Sequence, residues 1–298
     1  MLNVREKKRS PVTVRVVGGL GNQLFCYFAG RYLASLNRSP LVLDMSDIRS
    51  GKSAHDVTIE SFNIDAEIFS QPKSLIGNFV SRFLHKAKKL GVFPDSSNYF
   101  SDVIGYDPEL RCLSVPVTLN GYFQSYKYFY SEDHFQNSLS LRKPSLWFQE
   151  QEERFQAEPV ISVHVRRGDY KKLQHSYGLL GASYYNACFD RLSSAHKNLP
   201  IYVFSDDIFA AKKLLNFLDN YDVKWVEPPV GTDPAESLVL MSKARVNVIA
   251  NSTFSWWGAA LSANNNLVYA PKKWFKDLPD PKFLYPPSWI QIDSHWEA

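Results

Sequence analysis

The chain has 298 residues, a formal net charge of +4 and a hydrophobic content of 45%. A chain of this length and apolar content builds one large core or two smaller ones, which excludes a wholly disordered protein. The small positive charge mildly favours an anionic ligand, but it is far below the clustered basic excess of nucleic-acid binders, so we expect no nucleic-acid partner. The three widely spaced cysteines form no paired motif and fit a reducing cytoplasm.

The first half of the chain alternates β-branched apolar runs with helix-like stretches. This alternation is typical of parallel sheets joined by crossover helices. Strands are predicted over 12–17, 40–44 and 115–123, and a helix over 22–36. Polar and charged residues then cluster over 150–158 and end at Pro159. We therefore place a domain boundary there, with an N-terminal domain over 1–155 and a C-terminal domain over 156–298.

Residues 73–90 carry apolar side chains at helical spacing with basic residues between them, which predicts a basic amphipathic helix. One interpretation is a surface helix packed on the N-terminal domain, since most surface helices show this pattern. The other is a face that rests on anionic lipid and gives peripheral contact with the inner face of the plasma membrane. The sequence has no apolar run long enough to cross a bilayer, and we expect a cytoplasmic location.

The alternation of strand-like and helix-like stretches is clearer in the second half of the chain. Five strand-like runs begin at residues 160, 201, 223, 246 and 266, and four helix-like stretches separate them, the last starting at Thr253. This order predicts one doubly wound domain. Ligands of such a sheet bind beyond the carboxyl ends of its strands, so the residues that directly follow each apolar run are the candidates for a site.

Two adjacent arginines, Arg166 and Arg167, follow the strand over 160–165. Neighbouring side chains on a strand point to opposite sides, so one arginine can face a ligand while the other pairs with a carboxylate such as Asp169. A guanidinium offers a fork of donors that matches phosphate oxygens. The alternative is a salt bridge between structural elements, without a ligand.

Small polar residues open the helix that begins at Thr253, in the stretch "NSTFSWWGAAL". Ser252 or Thr253 is its predicted N-cap, and free N–H groups and hydroxyls at a helix start suit a phosphate as well as a simple cap. "GGLGNQLF" is a glycine-rich turn in which the amide of Asn22 can orient a hydroxyl or a phosphate oxygen. His164 has two open interpretations, a contact with a guanosine and a histidine of the core.

A divalent metal has little support in the sequence. The only candidate is the Asp206-Asp207 pair, and adjacent aspartates after a strand are more typical of a cap for the next helix. We therefore expect no metal ligands.

The motifs "GGLGNQLFCYFAGRYLA", "HVRRGDY", "FSDD" and "NVIANSTFSWWGAAL" resemble, in order and spacing, those of the bacterial alpha-1,2-fucosyltransferases that use GDP-fucose. The resemblance runs over about 14–270. It implies an α/β fold of GT-B type, with two Rossmann-like domains facing across a cleft, and an inverting reaction without a metal. GDP-fucose, as the donor substrate, is then bound mainly by the C-terminal domain, and no other cofactor is implied.

The resemblance also implies roles for individual residues. Arg166 matches the family's ligand for the donor pyrophosphate, and Asn22 lies near the reacting centre. Asp169 is interpreted as the group that orients an arginine, because a carboxylate beside guanidinium groups is a poor base. The predicted catalytic residues are Arg166, Asn22 and Asp169. The predicted donor-binding residues are His164, Arg166, Arg167, Asp206, Asn251, Ser252, Thr253 and Ser255.

The activity implied is transfer of L-fucose to the 2-hydroxyl of a galactose-containing glycan, either free or carried on a lipid-linked surface polysaccharide unit. Three alternatives stay open from the sequence. Another GDP-sugar glycosyltransferase or a GDP-sugar hydrolase would share the donor site. A non-catalytic carbohydrate-binding protein would need aromatic surface patches but no double arginine after a buried strand.

Overall fold

The computed structural model describes residues 10–52, 56, 58–70, 98–129, 139–262 and 266–297. The predicted helix over 73–90 lies outside these residues. The chain forms two compact units, Met1–Val57 with Ile64–Ser131 as unit 1, and Thr58–Asn63 with Glu132–Ala298 as unit 2. The short segment Thr58–Asn63 belongs to unit 2 because its backbone bonds there, for example through the amide of Arg142, which donates to the Ser61 carbonyl at 2.8 Å.

Unit 1 contains a parallel sheet of five short strands. They are β1 (Val12–Arg15), β2 (Leu41–Asp44), β3 (Glu67–Phe69), β4 (Asn98–Phe100) and β5 (Val117–Asn120), in the spatial order β3-β2-β1-β5-β4. Helix α1 (Leu20–Asn37) follows β1 and buries most of its side chains. The predictions for β1, β2, β5 and α1 are confirmed, with shorter strands than expected. Strands β3 and β4 were missed because three residues without a fully buried side chain leave no apolar pattern.

Unit 2 contains a parallel sheet of six strands with helices between them. The strands are β6 (Ile161–Val165), β7 (Ile201–Ser205), β8 (Val223–Trp225), β9 (Val246–Val248), β10 (Leu267–Pro271) and β11 (Ile290–Ile292). The helices are α2 (Leu146–Ala157), α3 (Ala182–Asp190), α4 (Ile208–Leu214), α5 (Pro234–Ser242) and α6 (Thr253–Ala260). The predicted doubly wound α/β domain is confirmed, and β11 is an additional edge strand that the sequence analysis missed.

The strand order in unit 2 is β11-β10-β9-β6-β7-β8. Counted from β6, this is the doubly wound order 3-2-1-4-5-6 read from the β8 edge. The chain winds from β6 outwards to β8, then crosses to β9 on the other side of β6. The carboxyl ends of β6 and β9 therefore flank the point where the winding reverses, which is where ligands of such sheets bind.

The boundary predicted between residues 155 and 156 does not coincide with the division into units. Residues 146–157 form α2, which belongs entirely to unit 2. Its N-cap Ser145 donates its hydroxyl to Glu236 at 2.6 Å, and its buried side chains Phe148 and Phe155 join a core cluster with Tyr202. The polar run over 150–158 is the exposed face of this helix rather than a linker, and that is why the composition misled the prediction.

In the described part of the chain, no helix is long and apolar enough to cross a membrane.

Candidate active site

The end of β6 presents Arg166 in a fixed position. Its Nη2 lies 2.6 Å from Oδ1 of Asp169, and its Nη1 lies 3.0 Å from Oδ2 of Asp206. The Tyr170 ring packs beside the guanidinium, with Cζ 5.3 Å from the ring centroid. About a quarter of the side chain, 24%, is accessible. Two carboxylates and an aromatic ring therefore hold a guanidinium that still has an open side, which is an arrangement suited to an anionic ligand.

Asp206 connects the guanidinium of Arg166 to the backbone. Its Oδ1 accepts a hydrogen bond from the Arg167 amide at 2.8 Å while its Oδ2 faces Arg166. Gly168 makes this approach possible, because a Cβ at that position would lie 2.5 Å from Oδ2 of Asp206. The sequence "RRGD" thus has a packing reason for its glycine. Asp206 was predicted to contact the donor. In the structure its two carboxylate oxygens contact Arg166 and the Arg167 amide.

In the reaction that the resemblance implies, we expect the Asp206→Asn variant to be at least about 10-fold slower than the unmodified protein. The amide nitrogen that replaces one oxygen cannot accept from Arg166, and a hydrogen bond to a charged group is worth about 1.5–3 kcal/mol. Initial rates at saturating acceptor and varied donor measure the loss. Asp207→Asn is the matched control, because asparagine caps a helix as well as aspartate does. Equal rates in the two variants would contradict this role of Asp206.

Asp207 serves the next helix. Its side chain accepts from the Ala210 amide at 2.9 Å as the N-cap of α4, and it pairs with Lys171 at 2.7 Å. The Lys171 hydrogen bond, followed by the one from the Ala210 amide, lowers the pKa of the Asp207 carboxyl. The capping interpretation of this aspartate is confirmed. Among the residues that the structure describes, no three histidine, cysteine or acidic side chains are grouped so that they could hold a metal ion.

Arg167, like Arg166, lies just beyond the end of β6, and its guanidinium has different partners from that of Arg166. Its side chain is 4% accessible, with Nη2 donating to the Leu180 carbonyl at 2.9 Å and Nη1 lying 2.9 Å from Oε2 of Glu297. Both ends of the guanidinium therefore contact groups of the protein. Arg167 was predicted as a donor ligand, and the structure shows a buried side chain that supports the loop after β6.

His164 is a buried residue of β6, 3% exposed, and its ring lies 5.7 Å from that of Phe254. Burial, and secondarily the positive charge of Arg166, lowers the pKa of His164 to about 3. Its Nδ1 has no hydrogen-bond partner among the residues described. The imidazole is therefore neutral at physiological pH, and of the two interpretations the core one matches its burial.

Helix α6 follows β9, the strand next to β6 in the sheet. Its N-cap Ser252 makes no side-chain cap hydrogen bond with any residue described, and Thr253 is half-buried. Ser255 turns inwards, where its hydroxyl donates to the carbonyls of Ser252 at 3.2 Å and Ala250 at 3.3 Å. The amino end of α6 thus offers backbone N–H groups and the Ser252 and Thr253 hydroxyls, while Ser255 stabilises the turn.

The side chain of Asn251 connects two loops through hydrogen bonds. Its Nδ2 donates to the carbonyls of Tyr177 at 3.0 Å and of Gly178 and Trp274 at 3.3 Å each. The side chain is 2% exposed. Predicted as a donor ligand, it is placed by the structure where it holds the chain around the end of β9.

Tyr170 was missed by the sequence analysis. Its hydroxyl donates to the Asn251 carbonyl at 3.0 Å, and its ring packs against Arg166. Burial raises the pKa of this hydroxyl, so it stays protonated and can donate. The residue therefore ties the loop after β6 to the end of β9. Its place beside the arginine motif, in "RRGDY", was the one signal in the sequence.

Asn22 lies in unit 1, in the first turn of α1. Its Oδ1 accepts a hydrogen bond from Nε2 of Gln124 at 2.9 Å. Gln124 lies in the loop that follows β5. Gln124 is 6% exposed and was missed by the sequence analysis, because its partner is distant in the chain. With Oδ1 engaged, the Nδ2 group of the amide is the donor that Asn22 can offer.

Comparisons with known proteins show the family to which the chain belongs. The model of Glycosyl transferase family 11 matches residues 5–293. An Escherichia coli alpha-1,2-colitosyltransferase is 31% identical over 96% of this chain and 100% of its own length. The O-antigen biosynthesis glycosyltransferase WbnK of Escherichia coli is 30% identical over 92% of this chain and 98% of its own.

A solved structure of an Arabidopsis thaliana FUT1 mutant in complex with GDP shares the fold. It has a TM-score of 0.50 and 13% identity, and the match covers 91% of this chain and 73% of that one. The likeness supports the two-sheet α/β fold of GT-B type. The family match spans nearly the whole chain and includes all the motifs described above, so the protein is a glycosyltransferase that belongs to glycosyl transferase family 11.

Proposed function

We propose that the protein transfers L-fucose from GDP-β-L-fucose to the 2-hydroxyl of a galactoside, with inversion at the anomeric carbon. The observation that carries this proposal is the partly open guanidinium of Arg166. Two carboxylates and a tyrosine ring hold it at the point where the sheet of unit 2 reverses its winding, beside the amino end of α6. This geometry supports the proposal that the donor pyrophosphate binds here.

In the proposed reaction the acceptor hydroxyl attacks the face of the anomeric carbon opposite the pyrophosphate. The new C–O bond forms as the bond to the leaving phosphate breaks, and the hydroxyl proton leaves to a base or to solvent. Negative charge grows on GDP in the transition state. Arg166, with the α6 amides and the Ser252 and Thr253 hydroxyls, would stabilise that charge, and a preorganised guanidinium does so without reorganisation.

Asp169 is unsuited to the role of base. Its Oδ1 already accepts a hydrogen bond from Nη2 of Arg166 at 2.6 Å, so this oxygen is engaged with the arginine rather than open to an acceptor hydroxyl. We infer that it orients Arg166. Because an oxocarbenium-like transition state makes the anomeric carbon strongly electrophilic, the acceptor hydroxyl needs little basic assistance.

We expect Asn22→Asp to slow transfer about 10-fold. Aspartate still accepts from Gln124, but it lacks the Nδ2 donor that we assign to a hydroxyl or a phosphate oxygen of the substrates. Rates of product formation under saturating donor and acceptor test this. Asn22→Ala should be at least as slow, and an Asn22→Ala enzyme with an unchanged transfer rate would remove Asn22 from the mechanism.

We further propose that the reaction needs no metal. The support is that Asp206 and Asp207 already pair with Arg166 and Lys171 and accept backbone amides. The experiment offers GDP-fucose, GDP-mannose and UDP-galactose separately to a panel of β-galactosides, with and without EDTA, and determines the linkage by NMR. Transfer of fucose to the 2-hydroxyl in EDTA is expected. Transfer from another donor alone, or a requirement for divalent metal, would contradict the proposal.

A second candidate is transfer of colitose, favoured by the 31% identity to the alpha-1,2-colitosyltransferase. Colitose is fucose without its 3-hydroxyl, so the two sugars differ by one hydrogen-bonding group. A site that bonds to the 3-hydroxyl would reject colitose strongly, whereas an apolar contact there would accept both. The ratio of kcat/KM for the two GDP-sugars decides between the donors.

We also propose that the acceptor galactoside is part of a lipid-linked surface polysaccharide unit. The support is the likeness over 92% of this chain to a protein named for O-antigen biosynthesis. Such an enzyme would work at the inner face of the plasma membrane. Deletion of the gene should remove fucose from the polysaccharide, and an unchanged polysaccharide would count against this setting.

A further inference from the structure

Residues His295 to Glu297 lie along the segment 178–181 in unit 2. The Gly181 amide donates to the His295 carbonyl at 2.8 Å, and the Glu297 amide donates to the Leu179 carbonyl at 2.7 Å. These bonds frame an antiparallel bridge between Leu180 and Trp296. The segment is therefore held by its backbone as well as by its side chains.

Gly178 shows that this contact is specified by shape. Its φ is +77°, and a Cβ there would lie 2.5 Å from the Trp296 ring. The left-handed conformation and the close ring both favour glycine at this position. Asn251 bonds to the carbonyl of the same glycine, so the end of β9 and the segment 295–297 meet at one turn.

The carboxylate of Glu297 pairs with the buried guanidinium of Arg167. The two side chains are 2.9 Å apart, and the arginine is 4% accessible while the glutamate is 40% accessible. Among the described residues, the Arg167 guanidinium is held by a hydrogen bond to the Leu180 carbonyl and by this ion pair. Glu297 thus supplies the charge that lets a guanidinium stay buried beside the end of β6.

We propose that Glu297 is a positioning residue for the donor site, and that it acts on Arg166 through Arg167. The connection is short. The Arg167 amide donates to Oδ1 of Asp206 at 2.8 Å, and Oδ2 of the same carboxylate holds Arg166 at 3.0 Å. Without Glu297, the Arg167 guanidinium would move towards water, carry its own backbone amide away from Asp206 and release one of the two carboxylates that fix Arg166. This inference rests on the proposed function, in which Arg166 binds the donor pyrophosphate.

The test compares Glu297→Ala and Glu297→Gln in the full chain with the control Asp293→Asn. Asp293 belongs to the same part of the chain, but it pairs with Lys272 at 3.4 Å in a contact where both side chains are largely exposed, so its loss should matter little. The measurements are the Kd for GDP, the KM for GDP-fucose and for the acceptor, and the melting temperature.

We expect Glu297→Ala to raise the Kd for GDP and the KM for GDP-fucose by about 10- to 100-fold, since small displacements of a binding group have effects of this size. The KM for the acceptor should stay unchanged. Glu297→Gln, which removes the charge of the ion pair but keeps the size of the side chain, should fall between Glu297→Ala and the unmodified protein. Asp293→Asn should match the unmodified protein in all of them.

Two outcomes would overturn the inference. One is a lower melting temperature with an unchanged Kd for GDP, measured where the variant is still folded, because Glu297 would then be merely structural. The other is an equal rise in both KM values. Arg166→Ala, measured alongside, distinguishes failure of this inference from failure of the proposed function. If Arg166→Ala retains full GDP affinity, the donor-site proposal fails, whereas loss of affinity in Arg166→Ala alone refutes only the role of Glu297.

Discussion

Replacement of Arg166 by alanine should lower the rate of the proposed fucose transfer by about 100-fold or more, because removal of one preorganised donor at a developing negative charge typically has an effect of this size. The variant should remain folded. Arg166 is partly exposed and lies at the end of β6, and its loss leaves Asp169 and Asp206 in contact with water rather than in an apolar core. The measurement is kcat with GDP-fucose, together with the circular dichroism spectrum.

Arg166→Lys tests whether the fork of the guanidinium matters. Lysine carries the same charge but cannot contact Asp169, Asp206 and a phosphate through three separate N–H groups in one plane, so we expect it to recover little activity. Arg154→Lys on the exposed face of α2 is the control and should be fully active. An Arg166→Lys enzyme with most of its activity would show that the fork of N–H groups is not required.

Acidification should destabilise the protein through His164. The folded state holds its pKa at about 3, because burial and the nearby Arg166 disfavour the charged form, whereas the unfolded state titrates near 6.5. Between these values the unfolded state binds a proton that the folded state does not, so stability is fully present above about pH 6.5 and falls as the pH drops towards 3. The expected contribution between about pH 7 and about pH 4 is ~3 kcal/mol.

The measurement compares the free energy of unfolding from urea curves of the unmodified protein and His164→Phe at several pH values. Phenylalanine preserves the ring contact with Phe254 and removes the titrating group, so the variant should lose less stability on acidification. His175→Asn, at an exposed position, should behave like the unmodified protein. Identical acid dependence in His164→Phe and the unmodified protein would contradict the assigned pKa.

The sequence determined the fold class and the position of the site. Runs of β-branched residues separated by helix-like stretches can bury both faces only as parallel strands with crossover helices, so β6, β7, β9 and their polar ends were predictable. The short strands β3, β4 and β11 were not. Each has three residues and is defined by pairing with a longer neighbour, which is a tertiary property.

The roles of single residues were also predictable from the sequence only in part. The residue types alone predicted that the two arginines diverge, because alternation along a strand is a local rule. Which arginine stays open was decided by partners elsewhere in the chain, since Asp206 holds Arg166 while Glu297 and the Leu180 carbonyl bury Arg167.

The sequence thus determined which polar residues follow the strands, and the tertiary structure alone decided which of their side chains stay accessible and which are buried in contacts with other parts of the chain. Asn251 shows the physical reason. An asparagine after a strand suits either role from its chemistry, and here three backbone carbonyls from two distant loops converge on its amide. A buried amide must satisfy its hydrogen bonds, and the loops that supply them are brought there only by the fold.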